Sequence, residues 1–135
     1  MKFHRIHFIS YVLLLIILSS CLTQKYDKVK ASKSIYEYEK FIKKHPNSKY
    51  TVEAENELEV LYEQNDWQTT KLIDLIKKYQ EFISKYPQSD YNTYAKERIK
   101  ELEEEEDWNN AKSINTISGF ENFISTHPVS RYSYD

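Results

Sequence analysis

Phe41, Ile42, Pro46, Ser48 and Tyr50 return as Phe82, Ile83, Pro87, Ser89 and Tyr91, and again as Phe123, Ile124, Pro128, Ser130 and Tyr132, 41 residues further on each time. The same offset joins Tyr26 to Trp67 and Trp108, Ile35 to Ile76 and Ile117, and Tyr38 to Tyr79 and Phe120. Asp66 matches Asp107 and Ala54 matches Ala95. A period of this length, matched at apolar and turn positions, is the signature of stacked supersecondary units. The repeats start near residues 26, 67 and 108, giving about two and a half units over 26–135.

One Gly and three Pro are too few for a β protein of many tight turns, and no stretch alternates strictly. The expected class is therefore all-α, an array of helical hairpins. Tyr26, Val29, Ile35, Tyr38, Phe41 and Ile42 form one stripe of a first helix over 25–44, stopped at His45-Pro46. Ser48 is the candidate N-cap of a second helix over 49–64, with Ala54, Leu58 and Leu61 inward. Breaks at Asn65-Asp66 and Glu106-Asp107 follow from the repeat alone. A third helix over 67–85 would then turn Leu72, Ile76, Tyr79, Phe82 and Ile83 inward. Ser89 would cap a fourth with Tyr91, Ala95, Ile99 and Leu102 inward, and a fifth would bury Trp108, Ile114, Ile117, Phe120, Phe123 and Ile124. Because neither inferred break holds Gly or Pro, the alternative is one continuous helix over 48–85 and another over 89–126.

Lys2 and Arg5 precede an apolar run, Phe8 to Leu18, interrupted only by Ser10 and followed by Ser19, Ser20 and Cys21. A basic start and a short apolar stretch read as a signal peptide over 1–20, since a membrane span needs about 20 apolar residues. Leu18-Ser19-Ser20-Cys21 resembles the lipobox of bacterial lipoproteins, which implies cleavage before Cys21 and acylation of its thiol. Cys21 is the one cysteine of the chain, so it has no internal disulfide partner. Several acyl chains would hold the protein permanently, and residues 21–25 form a short linker that keeps the body close to the bilayer. Leu22 is not the aspartate that retains enteric lipoproteins in the inner membrane, so the resemblance favours the outer membrane.

Two helices per unit, the Tyr-x-x-Phe pairs Tyr38/Phe41 and Tyr79/Phe82, and a Pro closing a helix before Ser and Tyr resemble the tetratricopeptide-type repeats of bacterial envelope lipoproteins. The lipoprotein of the outer-membrane β-barrel assembly machinery is similar in style. The chain departs from that family in its 41-residue period, in lacking Gly in the first helix of a unit, and in Phe82 and Phe123 where a small residue is common. The resemblance implies a lipid-anchored scaffold for other envelope proteins, a structural part of an assembly machine, or a remnant of a longer repeat protein.

Positions that break the repeat are where binding is expected. Tyr62 stands where the next unit has Glu103, Tyr94 where the previous has Glu53, and Tyr36 where the others have Lys77 and Ser118. Tyrosines suit interfaces because they offer contact area at low entropy cost. If the family's use of the first helix of each unit carries over, Glu57, Tyr62, Tyr94 and Arg98 face a partner. His45 and His127 occupy the place of Tyr86 and read as turn residues, so no metal is expected. A single Gly allows no phosphate loop, no activated nucleophile is placed by a motif, and no cofactor or enzymatic activity is expected.

Without Lys2 and Arg5, 17 basic residues face 21 acidic ones, which argues against nucleic acid as a partner. The five acids 103–107 read as a solvated helix junction. The chain stops at Asp135, just into the sixth helix of the pattern, and an uncapped array leaves apolar surface exposed. Self-association through the C-terminal face, or a shortened chain, is the expectation.

Overall fold

The computed structural model describes residues 21–132, and among them the chain is helix and turn with no strand. Helix α1 occupies 21–32, followed by α2 (Ile35–Lys44), α3 (Thr51–Ile73), α4 (Ile76–Lys85), α5 (Asn92–Ile114) and α6 (Ile117–Thr126). The all-α class expected from composition holds. Residues 1–20, expected as a signal peptide, and the last three residues of the pattern lie outside the described residues.

The helix breaks fall elsewhere than expected. Helix α3 runs straight through Asn65-Asp66, and α5 through Glu106-Asp107. The breaks come at Lys33 (φ 47°), Asp74 (φ 50°) and Asn115 (φ 52°), three left-handed residues spaced 41 apart. A left-handed residue just past a helix lets its N–H close on a carbonyl behind it while turning the chain away. Asp74 donates to Thr70 O at 2.9 Å and Asn115 to Ala111 O at 3.0 Å. The long continuous helices are excluded for the same reason, because both are cut at these residues. Asn and Asp enter this conformation more readily than most residues, whereas Lys33 gains no such ease.

The next residue is extended in every copy, Ser34, Leu75 and Thr116, and the chain re-enters a helix at Ile35, Ile76 and Ile117. Only Thr116 makes the side-chain cap, accepting from the Gly119 N–H at 3.2 Å. Residues 22–25, expected as a linker, are instead turns of α1: Leu22 packs on the core and the Thr23 and Tyr50 hydroxyls lie 2.7 Å apart.

The amphipathic pattern of α5 explains why a break was expected at Asp107. At 100° per residue, Ala95, Ile99 and Leu102 share one stripe, whereas Trp108 and Ala111 lie about half a turn away. The first half of α5 packs on the core that α4 carries, and the second half on the aromatic cluster that α6 carries. One helix with two opposed stripes reads in sequence like two helices.

The chain forms two compact units, Met1–Gln64 and Asn65–Asp135. In the first, Tyr26, Val29, Tyr38, Phe41 and Ala54 form the core, flanked by Ile42, Tyr50, Leu58 and Leu61. In the second, Trp67, Tyr79, Phe82 and Ala95 do the same, flanked by Ile83, Tyr91, Ile99 and Leu102. Leu72, expected inward, is 87% exposed, because it lies well off the stripe of Trp67 and Thr70 on α3. Ile114, Ile117 and Ile124 are exposed as well.

The ten-residue motif makes one turn three times. His45, Tyr86 and His127 each donate a backbone N–H to the Phe four residues earlier, at 2.9, 2.9 and 2.8 Å. The Ser hydroxyl of the motif does not cap the helix at its start but accepts from the Tyr two residues on: Ser48 from Tyr50 at 3.2 Å, Ser89 from Tyr91 at 3.1 Å and Ser130 from Tyr132 at 3.0 Å. This fixes the Tyr against an aromatic two helices back. Tyr26 stacks on Tyr50 at 4.7 Å, Trp67 on Tyr91 at 5.0 Å and Trp108 on Tyr132 at 5.5 Å between ring centroids. The buried Thr51 and Asn92 belong to the same device, donating to His45 O at 2.7 Å and to Tyr86 O at 2.8 Å.

Candidate partner-binding surfaces

The five candidate residues meet different fates. Tyr36 on α2 is 65% exposed and lies beneath the Lys40 ammonium, 5.3 Å from the ring centroid. Tyr94 on α5 is 64% exposed. Tyr62, at 37%, donates its hydroxyl to the Glu39 carboxylate, which ties α3 to α2. Glu57 is exposed on α3, but five helical positions from Tyr62 put the two about 140° apart, so they do not share a face.

Arg98 is committed within its own unit. Its Nε and Nη2 donate to the two carboxylate oxygens of Asp74 at 2.9 and 2.7 Å, and Nη1 donates to Glu101 at 2.7 Å. The Tyr79 hydroxyl completes the set, donating to Asp74 at 2.8 Å. The Arg98 guanidinium, aided by that hydroxyl, brings the Asp74 carboxyl down to about 2. Burial, with the Asp74 carboxylate beside it, pushes the Tyr79 phenol up to about 12. Arg98 therefore latches the left-handed break after α3 to α5, a structural duty that competes with partner binding.

What the sequence did not disclose is a groove that occurs three times, between each short helix and the helix before it. The first is lined by Lys25, Lys28, Val29 and Ser32 of α1, by Glu37, Lys40, Phe41 and Lys44 of α2, and by His45. Adding 41 to each number gives the second, from Asp66, Thr69, Thr70 and Ile73 to Lys78, Glu81, Phe82, Lys85 and Tyr86. Adding 41 again gives the third, from Asp107, Asn110, Ala111 and Ile114 to Gly119, Asn122, Phe123, Thr126 and His127. The floor is buried in every copy, with Phe41, Phe82 and Phe123 at one position and Val29, Thr70 and Ala111 at the other. The rim is rewritten in each copy.

The rims differ in charge. The first carries four lysines and one glutamate. In the second, Lys85 meets Asp66 at 2.6 Å and Lys78 meets Glu81 at 2.6 Å, while Tyr86 donates to Asp66 at 2.7 Å. Lys85, then Tyr86, holds the Asp66 carboxyl below its ordinary range. The third has no lysine, and its His127 Nε2 lies 2.9 Å from Asp107. His45 and His127 sit against Phe41 and Phe123 at 5.0 and 4.9 Å, as turn residues would. Among the described residues no three His, Cys, Asp or Glu converge as metal ligands.

No family model, curated protein or solved structure matches the chain. Cys21 is exposed with a free thiol at the start of the described residues. Among those residues no helix is long and apolar enough to cross a membrane.

Proposed function

We propose that this chain is a lipid-anchored, extracytoplasmic scaffold that holds other envelope proteins at a bacterial membrane, favouring the outer one. Its helices act as a tetratricopeptide-like array of 41-residue units. The reading is carried by the three grooves, which keep a buried Phe in the floor and change every rim. Packing positions held constant under variable rims are how a repeat protein varies recognition without altering its frame. The exposed rings of Tyr36 and Tyr94 supply anchors of the type enriched at interfaces. The lipobox-like Leu18-Ser19-Ser20-Cys21 supplies the attachment.

Crosslinking of the tagged full chain in intact membranes, followed by capture and quantitation, tests this reading. One or two partners in near-stoichiometric yield are expected from the wild type. They are lost in a Tyr36→Ala/Tyr94→Ala variant that retains its far-UV circular dichroism. A folded, membrane-bound chain that yields no enriched partner contradicts a scaffold role.

A further inference from the structure

We infer that the groove between α1 and α2 is a docking surface for anionic phospholipid headgroups of the bilayer beside Cys21, an inference that rests on the proposed attachment through that residue. Its rim presents Lys25, Lys28, Lys40 and Lys44, and Lys43 stands next to it in a depression that Tyr36 and Glu39 also line. All five lysines are exposed. Lys40 reaches Glu37 at 3.4 Å, while Lys25, Lys28, Lys43 and Lys44 make no ion pair among the described residues.

The same fold position later in the chain shows that the fold does not require this charge. The second groove neutralises its lysines against Asp66 and Glu81, and the third has none. Charge is also distributed unevenly along the chain: residues 21–45 hold seven lysines against three acids, whereas 46–135 hold ten basic residues against eighteen acids. An acidic body with one basic end orients that end toward a negative surface.

Position supplies the partner. At a rise of ~1.5 Å per residue, Lys25 and Lys28 stand ~6 and ~11 Å along α1 from Cys21, inside or near the ~8–10 Å over which salt leaves charge effective. They are three positions apart, so they project from one side of α1. Clustered lysines immediately beside a membrane attachment bind anionic headgroups as a smeared charge, with affinity that falls steeply with salt.

The test uses the full chain reconstituted into vesicles of phosphatidylcholine alone or with about a third phosphatidylglycerol. Lysine acylation by an amine-reactive reagent is followed by mass spectrometry at ~50 and ~500 mM salt, a range over which the Debye length shrinks from above 10 Å to below 5 Å. In phosphatidylglycerol vesicles at low salt, Lys25, Lys28, Lys43 and Lys44 should react at least threefold more slowly than in neutral vesicles. High salt should restore them, and Lys96, Lys100 and Lys112 should not change. A Lys43→Glu/Lys44→Glu variant, both positions exposed and free to fold, should lose the protection at Lys25 and Lys28. Equal reactivity in both vesicles overturns the inference, and so does equal protection by millimolar inorganic phosphate in neutral vesicles, which would mark a phosphate site instead. The mass of Cys21 in the same spectra reports acylation separately, so the docking surface and the attachment fail independently.

Discussion

Replacing Trp67 by Ala should cost about 3–5 kcal/mol, the range for deleting a buried large aromatic. Trp67 is 6% exposed and contacts three rings: Tyr91 stacked at 5.0 Å, Phe82 at 5.2 Å and Tyr79 at 6.0 Å. Removing the indole takes apolar area out of the core and leaves a cavity that the turn-bound Tyr91 cannot fill, because Ser89 pins its backbone. A chain of this size is stable by only about 5–15 kcal/mol, so the loss is a large share. Urea unfolding followed by circular dichroism measures it. Trp108→Ala, at a half-buried position, should cost visibly less, and Trp67→Tyr, which installs the ring that Tyr26 places in the first unit, should be milder than either. A Trp67→Ala protein within about 1 kcal/mol of wild type would mean the ring is not the keystone of that core.

The second large effect concerns Asp74. Its carboxyl titrates near 2 when folded instead of near 3.8. A lowered folded value gives stability that is present above the ordinary carboxylate range and disappears as pH falls through about 2. Asp74 is 38% exposed and Arg98 31%, so solvent screening reduces the contribution to about 1 kcal/mol. Asp74→Asn isolates the charge, since Asn115 holds the same left-handed conformation one unit later. The variant should be about 1 kcal/mol less stable than wild type at pH 7, with the gap closing between pH 5 and 2. Parallel stability–pH curves for the two proteins would remove the charge from the latch.

How much of this was legible in sequence depends on which residues carried the signal. The aromatic positions, the Pro-x-Ser-x-Tyr turn and the inward face of Ala54 and Ala95 were legible, because packing leaves a repeated apolar mark. The helix breaks were not, because the conformation that makes them is held by Lys33, Asp74 and Asn115, three residue types with no common chemistry. The clue was Asn115 and Asp74 at one repeat position, each followed by an Ile one residue beyond an extended residue. Trp67 and Trp108 were taken as helix starts because α5, and the sequence of α3 that matches it, changes its buried side midway. Among the candidate binding residues, Tyr36 and Tyr94 are displayed, whereas Arg98 proved to be the partner of a residue 24 positions earlier, a pairing no local pattern signals. The grooves were invisible as sequence because their lining is spread over two helices and differs in each copy.

The proposed attachment at Cys21 underlies both the proposed scaffold and the proposed headgroup surface, and the intact mass of the chain extracted from membranes tests it most directly. The expected product begins at Cys21, lacks residues 1–20 and carries a diacylglyceryl group on the thiol that no alkylating reagent can reach. A chain that retains residues 1–20, or that is cleaved elsewhere and leaves Cys21 free to alkylate, would contradict it.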